Sequence, residues 1–222
     1  MYTSFERDLN LRYSMISQIS YTHTPVLANQ VIEILNPKPG KIFIDATLGL
    51  GGHSEALLKE MHGEGSLYGL EADERNLELA KERLGAYKNV HYIHDNFENL
   101  EKYEERIDGI LFDLGLSSPH VEDANRGFSF QHEGPLDMRF DTRQTITAAD
   151  IINTYPLENL IFIFQNYGEE KHSKKLANEI IQYRKHNKFT TTTQLKDFVA
   201  RAAGFVHPEK CYFKRHPATR VF

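Results

Sequence analysis

Between Lys41 and Asp113 the chain repeats one pattern: a short apolar run, a turn, then helical periodicity. Lys41-Ile-Phe-Ile-Asp-Ala46 reads as a buried strand, and a glycine-rich turn leads into a helix from about Ser54 to Met61. Ser66-Leu-Tyr-Gly-Leu-Glu71 is a second strand, followed by a helix from Asp73, a suitable N-cap, to Leu84. Val90-His-Tyr-Ile93 and Asp108-Gly-Ile-Leu-Phe-Asp113 are the third and fourth strands. An amphipathic helix, Pro25 to Leu35, precedes them and is ended by Asn36-Pro-Lys-Pro-Gly40. Strands alternating with helices require crossover connections, so the expected fold class is α/β with a parallel, doubly wound sheet.

The chain has 222 residues, 40% of them hydrophobic, enough to bury one large domain or a domain with an insertion. Its single cysteine, Cys211, excludes an intramolecular disulfide framework and a cysteine-based zinc cluster, and fits a reducing, cytoplasmic setting. The histidines lack compact zinc-ligand spacing, so no metal is expected. No apolar run approaches the ~20 residues that span a bilayer. Residues 1–22 mix Arg7 and Arg12 with Glu6 and Asp8, which suits neither a secretory signal nor a transit peptide; they read as a flexible arm.

The pattern breaks after Asp113. Residues 114–145 form an irregular stretch punctuated by Gly115, Pro119, Gly127, Gly134 and Pro135, and loops of that length are usually functional. Helical periodicity returns near Ala148 and marks Leu157 to Tyr167, Glu169 to His186 and Thr193 to Ala203. The expected organisation is an α/β domain from residues 23–119 and 206–222, with residues 120–205 a loop and helical insertion over the carboxyl ends of the strands, where open α/β sheets bind ligands. A separate helical domain is the alternative. Charge is divided along the same line. Residues 1–170 carry 14 Lys/Arg against 28 Asp/Glu, and residues 171–222 carry 12 against 3. The basic stretch, Lys171 to Lys188 with Lys214, Arg215 and Arg220, either contacts a polyanion through groups such as Lys174, Lys175 and Arg184 or is a solvated face.

The first strand-to-helix turn, Asp45-Ala-Thr-Leu-Gly-Leu-Gly-Gly-His-Ser54, lets the backbone approach a ligand and points free N–H groups at it. A dinucleotide turn needs G-x-G-x-x-G, and here the third glycine position is Ser54. Asp45 beside the turn would repel a pyrophosphate and attract an ammonium, which favours S-adenosylmethionine over NAD. Glu71 ends the second strand, where an acidic side chain can accept hydrogen bonds from both ribose hydroxyls. Asp95-Asn-Phe97 follows the third strand; Phe97 offers an aromatic face to adenine, or is core. Asp113-Leu-Gly-Leu-Ser-Ser-Pro-His120 ends the fourth strand. The stretch Arg126 to Arg139, which includes Asp137, mixes charge, glycine and aromatic residues in a manner suited to base stacking and phosphate contact with a substrate.

In these motifs the sequence resembles the bacterial ribosomal RNA small-subunit methyltransferase H family, also called MraW. The resemblance runs through His23-Thr-Pro-Val26, Asp45 to Ser54, Asp108 to Pro119, Arg126-Gly-Phe-Ser-Phe130, Gly134-Pro-Leu-Asp-Met-Arg139, Tyr167-Gly-Glu-Glu170 and His216-Pro-Ala-Thr-Arg220, nearly the whole chain beyond residue 22. It implies a Rossmann-like S-adenosylmethionine-dependent methyltransferase fold and N4-methylation of a cytidine in the decoding region of 16S ribosomal RNA. It further implies that Gly51, Gly52 and His53 hold the donor, Glu71 the ribose and Phe97 the adenine, with Asp113 and His120 around the cofactor. Glu71 stands where the family usually has aspartate, and His120 where it usually has glutamine.

Exocyclic N4 is a poor nucleophile because its lone pair is delocalised into the ring, so in-line positioning and a hydrogen-bond acceptor for its N–H would assist transfer. Asp113 is the candidate acceptor, or serves the cofactor alone. A DNA amino-methyltransferase would show a D/N/S-P-P-Y/F tetrapeptide where this chain has Asp113-Leu-Gly-Leu. A nicotinamide oxidoreductase would need the missing glycine, and a non-catalytic RNA-binding fragment would not bind S-adenosylmethionine. Methyltransferases of this fold have seven strands and only four can be placed. The sheet is therefore expected to be incomplete at its C-terminus, leaving the fourth strand an exposed edge and the chain poorly soluble or inactive alone, or else completed as a homodimer.

Overall fold

The computed structural model describes residues 25–103, 106–205 and 216–222. The expected arm, Cys211, Lys214 and Arg215 lie outside the described residues. Four strands, β1 (Ile42–Asp45), β2 (Ser66–Leu70), β3 (Val90–Ile93) and β4 (Gly109–Leu111), form one parallel sheet in the order β3-β2-β1-β4. Asp45 pairs with Gly69 on one side and Leu111 on the other, so the carboxyl ends of β1, β2 and β4 lie level. The crossover between β1 and β4 makes β1 the topological switch point.

Helix α1 (Ala28–Leu35) precedes the sheet, α2 (Gly52–Met61) connects β1 to β2, and α3 (Glu74–Leu84) connects β2 to β3. Strand alternation divides the side chains between two faces. Phe43 and Leu67 pack with Leu57, Leu58, Met61, Leu77, Ala80 and Leu84 under α2 and α3. Ile44 and Leu70 face the other way, against Ile93, Leu100, Tyr103 and Ile107. Asp73 caps α3, accepting from the Arg75 N–H at 2.9 Å. Helix α1 starts three residues later than its periodicity suggests, because Leu27 takes a left-handed φ of 57° and cannot continue a helix. Helix α2 starts two residues earlier than expected, directly after Gly51, whose φ is 77°.

Beyond β4 come the short α4 (Ser118–Glu122), the irregular stretch, and then α5 (Ala148–Thr154), α6 (Leu157–Asn166), α7 (Ser173–Tyr183) and α8 (Thr192–Ala202). These helices close around their own core of Leu136, Ile152, Leu160, Phe164, Leu176, Ile180, Phe189, Leu195 and Val199. Helix α7 is shorter at both ends than the expected span from Glu169 to His186, and Glu169 at φ 51° sets the break before it. The irregular stretch is tied to this layer where Gly134 to Leu136 run beside Thr190 to Thr192: the Thr192 N–H donates to Gly134 O at 2.9 Å and the Leu136 N–H to Thr190 O at 3.0 Å. A Cβ on Gly134 would lie 1.8 Å from Ala124 O, so the approach there excludes any side chain. Residues 216–222 differ from the expected grouping with the α/β domain. Ala218 is buried in the helical core, and Val221 and Phe222 pack against it. Among the described residues β4 pairs only with β1, and Ile110, Phe112, Leu114 and Leu116 beside it are exposed. No helix among the described residues is long and apolar enough to cross a membrane.

Candidate active site

A cavity of about 690 Å³ opens over the carboxyl ends of the strands. Thr47, Gly49, Gly52 and His53 line it from the first turn, Glu71 and Ala72 from β2, Asp95 to Phe97 from β3, and Asp113 to Ser118 from β4. The glycine turn, Glu71, Asp95 to Phe97 and the residues after β4 therefore converge on one site.

The first turn is braced from below. Asp45 is buried, accepting from the Ser54 hydroxyl at 2.7 Å and the Thr47 N–H at 3.2 Å. Burial pushes its carboxyl above the ordinary range despite those donors. It does not line the cavity, so it organises the turn instead of meeting an ammonium directly; the carboxylates that line the cavity are Glu71, Asp95 and Asp113. Gly51 is set by the turn and by packing. Its N–H donates to Leu48 O at 2.8 Å, and a Cβ would meet Leu84 Cδ1 at 3.0 Å. Gly51 thus allows a left-handed turn and close packing of α3, whereas Gly49 and Gly52 line the cavity.

Glu71 is nearly buried. One carboxylate oxygen accepts from the Gly49 N–H and the other from the Asp73 N–H, both at 2.8 Å. Each oxygen keeps a second lone pair, so the carboxylate is held in one orientation and can still accept a pair of hydroxyls. Burial raises its pKa, outweighing the two N–H donors. Phe97 lines the cavity and meets Phe112 edge-on at 5.8 Å, so it is not core. The Asp95 carboxylate holds its own turn, accepting from the Asn96 N–H and the Asn99 amide.

Asp113 differs from these carboxylates. Its N–H donates to Thr47 Oγ1 at 2.7 Å, fixing the tip of β4 to the first turn, while its side chain is 58% exposed. One carboxylate oxygen lies 3.5 Å from His53 Nε2. His53 Nδ1 and Asn76 Oδ1 are buried with no hydrogen-bond partner among the described residues, and both residues line the cavity. Buried polar atoms are seldom left unpaired, so the site suits a polar ligand that would complete them. S-adenosylmethionine would fit this set, with Glu71 able to accept from ribose hydroxyls, Phe97 offering a ring to a purine and His53 a polar atom to its methionine end.

His120 stands at the cavity wall with both ring nitrogens engaged. Nδ1 accepts from the Ser117 N–H at 3.2 Å, which assigns the proton to Nε2, and Nε2 meets Asp73 Oδ2 at 2.9 Å. Arg126 Nη1 reaches the same Asp73 oxygen at 2.6 Å, with both side chains more than 90% buried. Burial alone would raise the Asp73 pKa; the His120 hydrogen bond, the Arg126 charge and the Arg75 N–H hold it below its ordinary value.

The residues expected to contact substrate, Arg126, Asp137 and Arg139, all have partners within the loop. Arg126 Nη2 donates to Arg139 O at 2.7 Å and Phe140 O at 3.1 Å, so its guanidinium is an internal anchor. Arg139 forks onto Asp137 at 2.8 and 2.7 Å and donates to Thr142 O and Gln144 O. In the basic stretch Lys174 and Lys175 are both exposed, although Lys175 Nζ donates to Ala202 O, and Arg184 Nη1 donates to Ile152 O. None of the three lines the cavity. Asn76, Arg83 and Phe140 do line it, and nothing in their local sequence marks them as contacts.

The MraW methylase family model matches residues 20–222. The chain is similar to ribosomal RNA small subunit methyltransferase H of Clostridium botulinum, 40% identical over 92% of this chain and 66% of that protein. The proteins of that name from Carboxydothermus hydrogenoformans and Dictyoglomus thermophilum are 43% and 45% identical, over 92% and 93% of this chain and 66% and 70% of their own lengths. The chain thus spans about two thirds of the length of these curated relatives. It belongs to the MraW methylase family.

Proposed function

We propose that this family member binds S-adenosylmethionine at the strand tips and methylates N4 of a cytidine in the decoding region of small-subunit ribosomal RNA, in the cytoplasm. When bound, the cofactor would supply an electrophilic methyl group, its sulfur keeping the electron pair of the broken S–CH3 bond so that S-adenosylhomocysteine is the leaving group. Glu71 orients the ribose, Phe97 lies against the adenine, and the Gly49–His53 turn receives the methionine end. Asp113 accepts a hydrogen bond from the N4 amine, which steadies positive charge as the carbon–nitrogen bond forms, and then takes the surplus proton. The cytidine must leave its stack to reach the cavity.

The observation that carries this reading is the state of Asp113. Asp45, Glu71 and Asp95 all have oxygens committed to nearby donors, whereas Asp113 is fixed through its backbone and leaves its carboxylate to the cavity. RNA contact outside the cavity falls to exposed lysines such as Lys174, Lys171 and Lys188, while Arg126, Asp137 and Arg139 shape the loop. The test is transfer of a labelled methyl from S-adenosylmethionine to small ribosomal subunits, with mass mapping of the RNA. Label on a decoding-region cytidine, abolished in Asp113→Ala while cofactor binding persists, is the expected result. Label elsewhere, or undiminished label in that variant, contradicts the assignment.

A further inference from the structure

We infer that Phe140 belongs to the cofactor site: its ring closes the adenosine end of the cavity, and the loop carrying it is a strap pinned across the tips of β2 and β3. This rests on the reading of the cavity as an S-adenosylmethionine site.

Three observations place the ring. Phe140 lines the same cavity as Glu71, Ala72 and Phe97 and is 39% exposed. Its inner side is backed by His120, edge-on at 4.9 Å, and by Phe128, tilted at 4.9 Å, so the surface left open is the surface toward the cavity. The strap is tied at both ends. Arg126 donates to the carbonyls of Arg139 and Phe140, and Arg126 itself is paired with Asp73, two residues beyond Glu71. On the other side Arg143 Nη2 donates to His94 O at 3.2 Å, one residue before Asp95, with its guanidinium steadied by Asp141 at 2.7 Å. The anchors therefore sit at the strand ends that carry the candidate ribose and adenine contacts, while the bonds of Asp113 run to the tip of β1.

Mere packing against His120 and Phe128 would be served by any apolar side chain of similar volume. A rigid ring with a free face adds stacking on a base, worth about tenfold in affinity. The same backbone anchors make this a low-entropy contact, since the loop is already ordered before a ligand arrives.

The experiment titrates S-adenosylhomocysteine, 5′-methylthioadenosine and a short single-stranded cytidine-containing RNA into the full chain and into Phe140→Leu, Phe140→Tyr and Arg143→Ala, with unfolding midpoints as controls. The expected result is a weakening of about tenfold for both adenosine ligands in Phe140→Leu, near-parental affinity in Phe140→Tyr, and an intermediate effect in Arg143→Ala, which touches no ligand. Should Phe140→Leu fail to fold, Arg143→Ala against the parent reads the same effect. Adenosine affinities unchanged in the folded variants overturn the inference while leaving the cofactor reading intact, and a weakening confined to RNA overturns it by assigning the ring to the acceptor base instead. Failure of the parent chain to bind S-adenosylhomocysteine overturns both.

Discussion

At the strand tips, carboxylates either brace the turns that make the cavity or face into it. In the stretch after Asp123, guanidinium groups point at backbone carbonyls, at the buried Asp73 and at the half-buried Asp137 and Asp141. Glu71 and Arg126 show the contrast. Glu71 is fixed by two backbone N–H groups and keeps lone pairs for a ligand, whereas Arg126 has Nη1 on Asp73 and Nη2 on two carbonyls. Both are nearly buried, and both are candidates for binding by residue type. What separates them is the direction of the groups left over. A carboxylate oxygen held by one N–H still accepts, whereas Arg126 is buried with three of its donors on Asp73 and two carbonyls, which holds it inside the loop. The loop is thus the frame of the site, and the strand tips are its reactive surface.

The sharpest way to break this contrast is Arg126→Ala. It leaves Asp73 buried and short of its cation, so a drop of about 3–5 kcal/mol in unfolding free energy is expected, read by denaturant titration. Weaker RNA binding with stability unchanged would instead return Arg126 to the substrate. Next is Gly51→Val, expected to cost about 1–3 kcal/mol of stability through its left-handed backbone and its approach to Leu84. Thermal unfolding with and without cofactor separates this effect from a direct one on the ligand. A variant of parental stability that no longer binds S-adenosylmethionine would show that Gly51 touches the ligand.

Glu71→Ala is expected to weaken cofactor binding by about 1–3 kcal/mol in calorimetry, since it removes hydrogen bonds to a charged group. The two linked acids also predict a pH order. Glu71 has its pKa raised above 4.5, so on acidification it takes up a proton early and ceases to accept from both hydroxyls. Folding favours that protonated form, so this step removes no stability. Asp73 has its pKa lowered below 3.8, and the stability it contributes is complete above 3.8 and lost only as pH falls through its folded value. Cofactor affinity should therefore fall at a higher pH than the one at which the Asp73 anchor fails. Affinity and structure failing together would contradict the separate roles. The smallest effect is expected at Lys174→Glu. Cofactor affinity should be unchanged and RNA affinity reduced, with the slope of log K against log salt shallower by about 0.7 per phosphate no longer neutralised.

The sheet was legible because strand and helix periods differ and because Gly, Pro and Asn mark the turns between Asn36 and Asp113. Boundaries slipped where single residues adopt left-handed backbone, at Leu27 and Glu169, since neither side chain announces that conformation. That Glu71 and Asp113 would line the cavity was legible because strand ends fix where they must point; local sequence leaves Phe97 open between cavity and core, and only the family resemblance marks His53. The roles of Arg126 and Arg139 were not legible, because their partners are set by the path of an irregular loop. Asp73 was visible as a helix cap but not as the acid that receives both His120 and Arg126. Phe140 carried no local signal: it follows Met138-Arg139 in a stretch with no periodicity, and only its neighbours in space give it a role.

A crystal structure of the chain with S-adenosylhomocysteine would test the central claim most directly, that the strand tips form a nucleoside site built on Glu71. The account predicts both ribose hydroxyls within hydrogen-bond distance of the Glu71 carboxylate, the adenine beside Phe97, and the Asp113 carboxylate still open toward the acceptor side. A nucleoside seated away from Glu71, or with its ribose turned from that carboxylate, would contradict it.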